Sequence, residues 1–121
     1  MDDTLRNDEL ALWNQVKDAM KSPLIELSAK SSATVRHSLM GFMMILARYK
    51  FPCRMLQNRK HLKVIDVGCS DGIGAWMIEQ NCDCEQTVGI DFDPEAIAWA
   101  QKNIANPRCC FVEADFLGGH L

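Results

Sequence analysis

The sequence predicts an α/β fold in which N-terminal helices precede a β-α-β-α-β unit with parallel strand order 3-2-1. Two observations predict it. Short runs rich in Val, Ile and Phe occur at residues 64–67, 88–91 and 110–113, a composition typical of buried strands. The residues between and before them repeat apolar side chains at helical spacing. Right-handed crossovers place the middle run at the centre of the sheet.

Residues 1–60 are predicted to form a separate helical segment. Polar residues that cap helices, and prolines that interrupt them, divide it. Asn7 or Asp8 is the expected cap of a first helix that runs through Met20, and Ser22 and Pro23 form a break after it. Ser31 or Ser32 is the expected cap of a longer second helix, which Pro52 kinks or divides. Residues 57–61 then form a polar link to the first strand.

Residues 61–121 are predicted to form a partial α/β domain with helices at about residues 73–80 and 94–103. Asp93 is the expected cap of the second helix, with Pro94 at its first position. Three small or apolar residues of this helix are expected to face the sheet: Ile97, Ala98 and Ala100.

The turn after the first strand is the most informative feature of the chain. Residues 64–74 read Val-Ile-Asp-Val-Gly-Cys-Ser-Asp-Gly-Ile-Gly. Glycines at Gly68, Gly72 and Gly74 let the backbone turn sharply and approach a ligand closely. The free N–H groups of the following helix then point at whatever lies above the strand. This pattern predicts a nucleotide-type binding loop.

Two carboxylates follow the later strands. Asp91 ends the second strand, 23 residues after Gly68, which suits hydrogen bonding to ribose hydroxyls. Asp115 follows the third strand and can accept from an exocyclic amino group. Together the two acids describe an adenosine site, although either acid alone is a weak signal.

With these motifs in order, residues 64–116 resemble the first half of a class I S-adenosylmethionine-dependent methyltransferase, a Rossmann-like fold. The family's acid-x-Gly-x-Gly-x-Gly signature stands here as residues 66–72, with Ser70 in place of the middle glycine. The resemblance implies S-adenosylmethionine as cofactor, with the methionine end along the glycine loop, the ribose at Asp91 and the adenine at Asp115 and the Phe116 N–H. The implied binding residues are Asp66, Gly68, Cys69, Ser70, Gly72, Asp91, Phe92, Asp115, Phe116 and Arg48.

Arg48 enters this set through a second resemblance. Residues 47–56 are similar to an Arg-Tyr-Lys-Phe element that precedes the glycine strand in some bacterial class I methyltransferases, although Pro52 departs from that pattern. The resemblance implies a helix across the cofactor pocket, from which Arg48 pairs with the methionine carboxylate. An arginine that only extends its head from an amphipathic helix into water explains the residue equally well.

The glycine loop, residues 68–74, has two other interpretations. A dinucleotide site needs Gly-x-Gly-x-x-Gly, but Ser70 and Ile73 stand at the second and third glycine positions. A tight strand–helix turn without a ligand would explain Gly68 and Gly72. It would not explain the two acids at the strand ends.

The chain stops after the third strand, whereas the family has seven strands. We therefore expect either an expressed fragment or a natural truncation that is inactive alone. No catalytic residue is identified; Glu79 and His120 are expected to be solvated. The acceptor is expected to be a small molecule or a sugar. The alternative function is a non-catalytic module that dimerises through the open edge of strand one or by exchange of N-terminal helices.

The composition and charge of the chain indicate which classes of partner and which compartment to expect. The net charge is −3 and no basic stripe is visible, so nucleic acid is not expected. Residues 37–46 are apolar but too short to span a membrane, and the acidic N-terminus predicts no secretory signal. We expect a cytoplasmic protein with reduced cysteines.

No metal site is predicted from the cysteines. The spacings among Cys82, Cys84, Cys109 and Cys110 do not match those of usual zinc ligands. Cys69 is expected to have a packing role.

Overall fold

The computed structural model of the protein describes residues 3–21 and 26–118. The predicted break at Ser22 and Pro23 lies outside these residues, as does His120. The elements, in chain order, are α1 (Asp3–Ala19), α2 (Ala29–His37), α3 (Leu39–Met55), β1 (Leu62–Val67), α4 (Ile73–Asn81), β2 (Cys84–Asp91), α5 (Pro94–Asn103) and β3 (Cys109–Glu113). The predicted class is confirmed: helices precede a β-α-β-α-β unit.

The three strands form one parallel sheet in the order β1-β2-β3. This is the predicted 3-2-1 arrangement seen from the opposite edge, with β2 in the middle. Val67 of β1 pairs with Ile90 of β2, and Ile90 pairs with Val112 of β3. The strands therefore end level with one another, and the loops that follow them meet at one edge of the sheet.

The predicted cap of the first helix was wrong. The helix begins at Asp3 rather than after Asn7 or Asp8, so both predicted caps lie inside α1. An acidic first turn extends the helix because Asp3 interacts favourably with the helix dipole. Trp13 of α1 is 56% exposed.

The predicted long second helix is two helices. The actual caps are Ser28 and Ser38, whose side chains accept hydrogen bonds from the backbone N–H groups of Ser31 and Gly41. Because Ser38 adopts an extended conformation and caps the next helix, it separates α2 from α3. The predicted caps Ser31 and Ser32 lie within α2 instead.

Pro52 does not divide α3. The helix continues through Pro52 to Met55, and the Pro52 carbonyl accepts from the Leu56 N–H at 2.9 Å. A proline near the end of a helix removes one hydrogen bond without preventing the last turn.

The core lies between the sheet and the helices α4 and α5, which pack on the same face. Ile97 and Ala100 of α5 are buried there, as predicted. Ala98 is exposed, contrary to prediction, and Ala96 is buried instead, because residues four positions apart share one face of a helix. The buried cluster comprises Cys69, Ala75, Ile97, Ala100, Ile104, Cys109 and Phe111.

The opposite face of the sheet is apolar and open in the described part of the chain. Ile65 is 66% exposed, Val67 48% and Val112 45%. Side chains alternate between the two faces of a strand, so helices on one face leave these residues uncovered. β1 is an edge strand of the described sheet, as predicted.

Candidate functional site

The loop after β1 turns across the end of β2. The N–H groups of Gly68 and Cys69 both donate to the Ile90 carbonyl, at 2.8 and 3.0 Å. Gly68 has φ +76°, a conformation that favours glycine. A Cβ atom at Gly68 would meet nothing within 4 Å. The loop therefore presents bare backbone to open space, which is what a close-fitting ligand requires.

The other two glycines of the loop serve packing. Gly72 is buried and faces the core, where a Cβ atom would lie 2.6 Å from the Phe111 ring. Gly74 lies against α3, where a Cβ atom would lie 2.0 Å from the Tyr49 ring. Gly72, predicted as a cofactor residue, is thus placed beneath the loop and does not line the cavity described next.

A cavity of about 400 Å³ lies between α2, α3 and the glycine loop. It brings together five of the predicted binding residues: Arg48, Asp66, Gly68, Cys69 and Ser70. The remaining lining residues are Lys30, Ser31, Thr34, Phe42, Ile45, Tyr49, Asp71 and Ile73. The N-terminal helices α2 and α3 therefore form one wall of this cavity.

A buried carboxylate holds α2 on the loop. Asp71 is 4% exposed, and its Oδ2 accepts hydrogen bonds from the hydroxyls of Ser28 and Ser31. The Ser28 side chain also caps α2. Sequence reasoning missed this role of Asp71; the signal was an ionisable residue inside an otherwise small-residue loop.

Two cations border the same cavity. Lys30 of α2 donates from Nζ to Ser70 Oγ at 2.8 Å, and Arg48 of α3 lines the cavity with an exposed side chain. Lys30 was missed because it lies 40 residues before Ser70 in the sequence, and no local motif marks it. The cavity thus has positive groups on its helical side.

Asp91 anchors the loop from the neighbouring strand. Its Oδ2 accepts from the Ser70 N–H at 2.8 Å, and its Oδ1 accepts from the Asp93 N–H at 2.9 Å. An ionised carboxylate has about four acceptor sites, so each oxygen retains capacity for another donor. Asp91 lies beside the loop and does not line the cavity.

Asp66 contacts a residue that the sequence did not suggest. The Tyr49 hydroxyl donates to Asp66 Oδ2 at 3.1 Å. Burial raises the pKa of Asp66, the Tyr49 hydrogen bond opposes that rise, and the nearby Asp91 carboxylate adds to it. Burial and the Asp66 charge together raise the pKa of Tyr49, so Tyr49 stays protonated as the donor.

Phe92, a predicted cofactor-binding residue after β2, lies outside the cavity, as do Asp115 and Phe116, the residues predicted for the adenine, which follow β3. Phe92 is 75% exposed and Phe116 is 50% exposed. Asp115 is exposed, and its Oδ1 accepts from the N–H groups of Leu117 and Gly118 at 3.0 and 3.1 Å. All three stand at the carboxyl edge of the sheet, the same edge as the glycine loop.

Two expectations about other side chains have different outcomes. Glu79 is buried rather than solvated, and its Oε1 pairs with Arg108 at 3.1 Å. The packing role of Cys69 is confirmed: it is 2% exposed within the core cluster. Burial raises the pKa of this thiol to about 12, so Cys69 is an inert thiol at neutral pH.

Residues 3–21 and 26–118 contain no group of three or more His, Cys, Asp or Glu side chains placed to hold a metal ion. None of their helices is both long enough and apolar enough to cross a membrane.

Comparison with known families identifies the segment that carries the loop. The family model described as "Methyltransferase domain" matches residues 64–119. Residues 64–119 are therefore similar to methyltransferase domains. The resemblance predicted from residues 64–116 is thereby confirmed. The matched segment starts within β1 and contains every predicted site residue except Arg48.

Solved structures share the fold of this segment. The cyclopropane synthase MmaA2 from Mycobacterium tuberculosis matches at 19% identity with a TM-score of 0.51, over 60% of this chain and 27% of that one. The partner of the Trm112 methyltransferase activator in a Haloferax volcanii complex matches at 19% identity with a TM-score of 0.50, over 55% of this chain and 29% of that one. The chain thus spans less than a third of the length of these proteins. A comparison with curated proteins found no match.

Proposed function

We propose that the chain binds S-adenosylmethionine at the glycine loop and is the cofactor-binding part of a methyltransferase. One observation carries this proposal: Gly68 presents open backbone at the cavity that Asp66 also lines, and Asp91 of the next strand holds the same loop through the Ser70 N–H. A side chain at Gly68 would fill the space that a ligand needs. The methyltransferase-domain match supports the same cofactor class.

The cavity suits the amino-acid end of the cofactor. That end is a zwitterion, with an α-ammonium and a carboxylate. Asp66 offers a negative partner for the ammonium, and Lys30 and Arg48 offer positive partners for the carboxylate. Hydrogen bonds between charged partners are the strong ones in proteins. Both signs of charge around one cavity are what a zwitterion requires.

The carboxyl edge of the sheet suits the adenosine end. Asp91 keeps free acceptor capacity on both oxygens, enough for two ribose hydroxyls. Asp115 is proposed to accept from the adenine amino group, with Phe92 and Phe116 beside the ring. The backbone N–H groups held by Asp115 keep its carboxylate at the end of β3.

Bound S-adenosylmethionine would supply a methyl group already activated on a sulfonium. The residues of this chain would hold the cofactor, orient it and exclude water from its methionine end. We propose a small molecule or a sugar as the acceptor. We also propose that the isolated 121 residues transfer no methyl group, because they span less than a third of the matched proteins. Turnover by this chain alone would contradict that proposal.

Isothermal titration calorimetry with S-adenosylhomocysteine tests the cofactor assignment. We expect saturable one-to-one binding, and no binding of NAD under the same conditions, because the loop lacks the second and third glycines of a dinucleotide site. Binding of NAD in preference to S-adenosylhomocysteine would refute the proposal.

A specific observation also favours the second candidate, a non-catalytic dimerisation module. Ile65 and Val67 are exposed on a strand whose outer edge is unpaired among the described residues. Exposed apolar edges pair readily with other strands. On this proposal two copies join through β1, or exchange their N-terminal helices, and residues 1–60 and 61–121 act as separate units.

A further inference from the structure

The contact between α3 and the end of β1 is specific in its chemistry. Tyr49 is the only tyrosine of the chain, and its hydroxyl donates to Asp66 Oδ2 at 3.1 Å. Its ring passes directly over Gly74, where any Cβ atom would overlap it. The Tyr49 ring can occupy this position because residue 74 has no side chain. In this position the Tyr49 hydroxyl reaches Asp66.

The surroundings of Asp66 disfavour the ionised form of its carboxyl group. It is partly buried at the cavity wall, the Asp91 carboxylate lies near it on β2, and both effects raise its pKa. The other ionisable groups around the cavity are the Cys69 thiol and the Asp71 carboxylate of the loop, with Lys30 from α2 and Arg48 from α3. Among the described residues, the side chain that donates a hydrogen bond to Asp66 is that of Tyr49.

We propose that Tyr49 is a positioning residue that keeps Asp66 as an oriented carboxylate for the α-ammonium of S-adenosylmethionine. This inference rests on the proposed function. By occupying one oxygen, Tyr49 leaves Asp66 Oδ1 for the ligand and prevents the carboxyl group from rotating. A donor to the carboxylate also favours its charged form over its protonated form.

The direction of the pH effect follows from this geometry. Only the ionised form of Asp66 attracts an ammonium group, so affinity falls as the pH drops through the Asp66 pKa. The Tyr49 hydrogen bond lowers that pKa. Its removal in Tyr49→Phe therefore moves the loss of affinity to higher pH. Well above both pKa values the two proteins bind alike, apart from any change in orientation.

A titration without ligand tests the contact itself. The carboxyl carbon of Asp66 is followed by NMR against pH in the full chain, and Asp66→Asn identifies its signal. We expect Tyr49→Phe to raise the midpoint by about one pH unit, the size of one hydrogen bond to a charged group. Phe51→Leu, on an exposed position of the same helix, is the matched control and should leave the midpoint unchanged. An unchanged midpoint in Tyr49→Phe would overturn the proposal.

A second variant tests the ring position while the Tyr49 hydroxyl is kept. Gly74→Ala retains the tyrosine but displaces its ring, so it should raise the Asp66 midpoint in the same direction as Tyr49→Phe. If Gly74→Ala leaves the midpoint unchanged, the ring position does not control Asp66 and the proposal fails.

Binding of S-adenosylhomocysteine across pH then tests the functional consequence. We expect Tyr49→Phe to bind about tenfold more weakly at a pH below its raised midpoint and to approach the wild type at higher pH. In the Asp66→Asn background, Tyr49→Phe should cause no further pH-dependent loss. An equal loss at every pH would show a merely structural role and overturn the proposal. If the wild type binds no S-adenosylhomocysteine, the proposed function fails, while the ligand-free titration still decides the Tyr49–Asp66 contact.

Discussion

The Ser31 hydroxyl of α2 donates to the buried Asp71 carboxylate of the glycine loop at 2.5 Å. Ser28, the cap of α2, donates to the same oxygen. One carboxylate therefore connects the helical segment to the loop that approaches the proposed ligand. We expect α2 to separate from the glycine loop if the Asp71 carboxylate is removed.

Asp71→Ala is expected to lower the free energy of unfolding by about 3 kcal/mol, because two hydroxyl bonds to a charged acceptor are lost. Urea denaturation measures this change. Asp18→Ala is the control, since Asp18 pairs with Lys21 on the exposed surface of the protein and such pairs contribute little. Equal stability of the two variants would contradict the structural role of Asp71.

Gly74→Ala is expected to destabilise the protein although alanine is the better helix former by about 1 kcal/mol. The reason is the Tyr49 ring, 2.0 Å from the added Cβ. In a Tyr49→Ala background the same substitution should become neutral or stabilising. A double-mutant cycle by thermal unfolding measures the coupling, and additive effects would show that the ring and residue 74 are not in contact.

Asp91→Ala is expected to weaken binding of S-adenosylhomocysteine at least tenfold. It removes the proposed ribose acceptor and also the acceptor for the Ser70 and Asp93 N–H groups, each worth about 1.5–3 kcal/mol as a bond to a charged group. Calorimetry measures the affinity, with Asp83→Asn at an exposed position as control. Unchanged affinity would remove Asp91 from the site.

The chain is expected to dimerise at micromolar concentration through the edge or the open face of β1. Ile65→Lys places a charge on that face, where Ile65 is 66% exposed, and should favour the monomer. Light scattering over a concentration series distinguishes the two states. A wild-type monomer throughout the range would refute self-pairing of β1.

The sequence predicted the sheet and the loop well because their signals are local. Strand periodicity, the glycines and the cap at Asp93 each act within a few residues, and α5 was predicted with its observed bounds of Pro94–Asn103. The caps predicted for the second helix, Ser31 and Ser32, were wrong because several serines can fill this role, and tertiary contacts decide which one does. Ser28 caps α2 and also donates to Asp71, which lies 43 residues away in the sequence, so no local signal marks it as the cap.

The site was predicted in part for the same reason. Asp66, Gly68 and Ser70 lie in one motif, and the structure brings them to one cavity wall. Lys30 and Tyr49 were missed because they reach the loop from helices far away in sequence. Gly72 was assigned to the ligand, whereas its missing side chain makes room for Phe111.

A titration of the isotope-labelled chain with S-adenosylhomocysteine, followed by backbone amide NMR, is the most direct test of the proposed cofactor site. Binding at the loop predicts saturable shifts at the amides of Gly68, Cys69, Ser70 and Asp93, and little change in α1, whose described side chains are exposed and line no part of the cavity. The absence of shifts at the loop amides at millimolar ligand, in a folded sample, would contradict the proposed site.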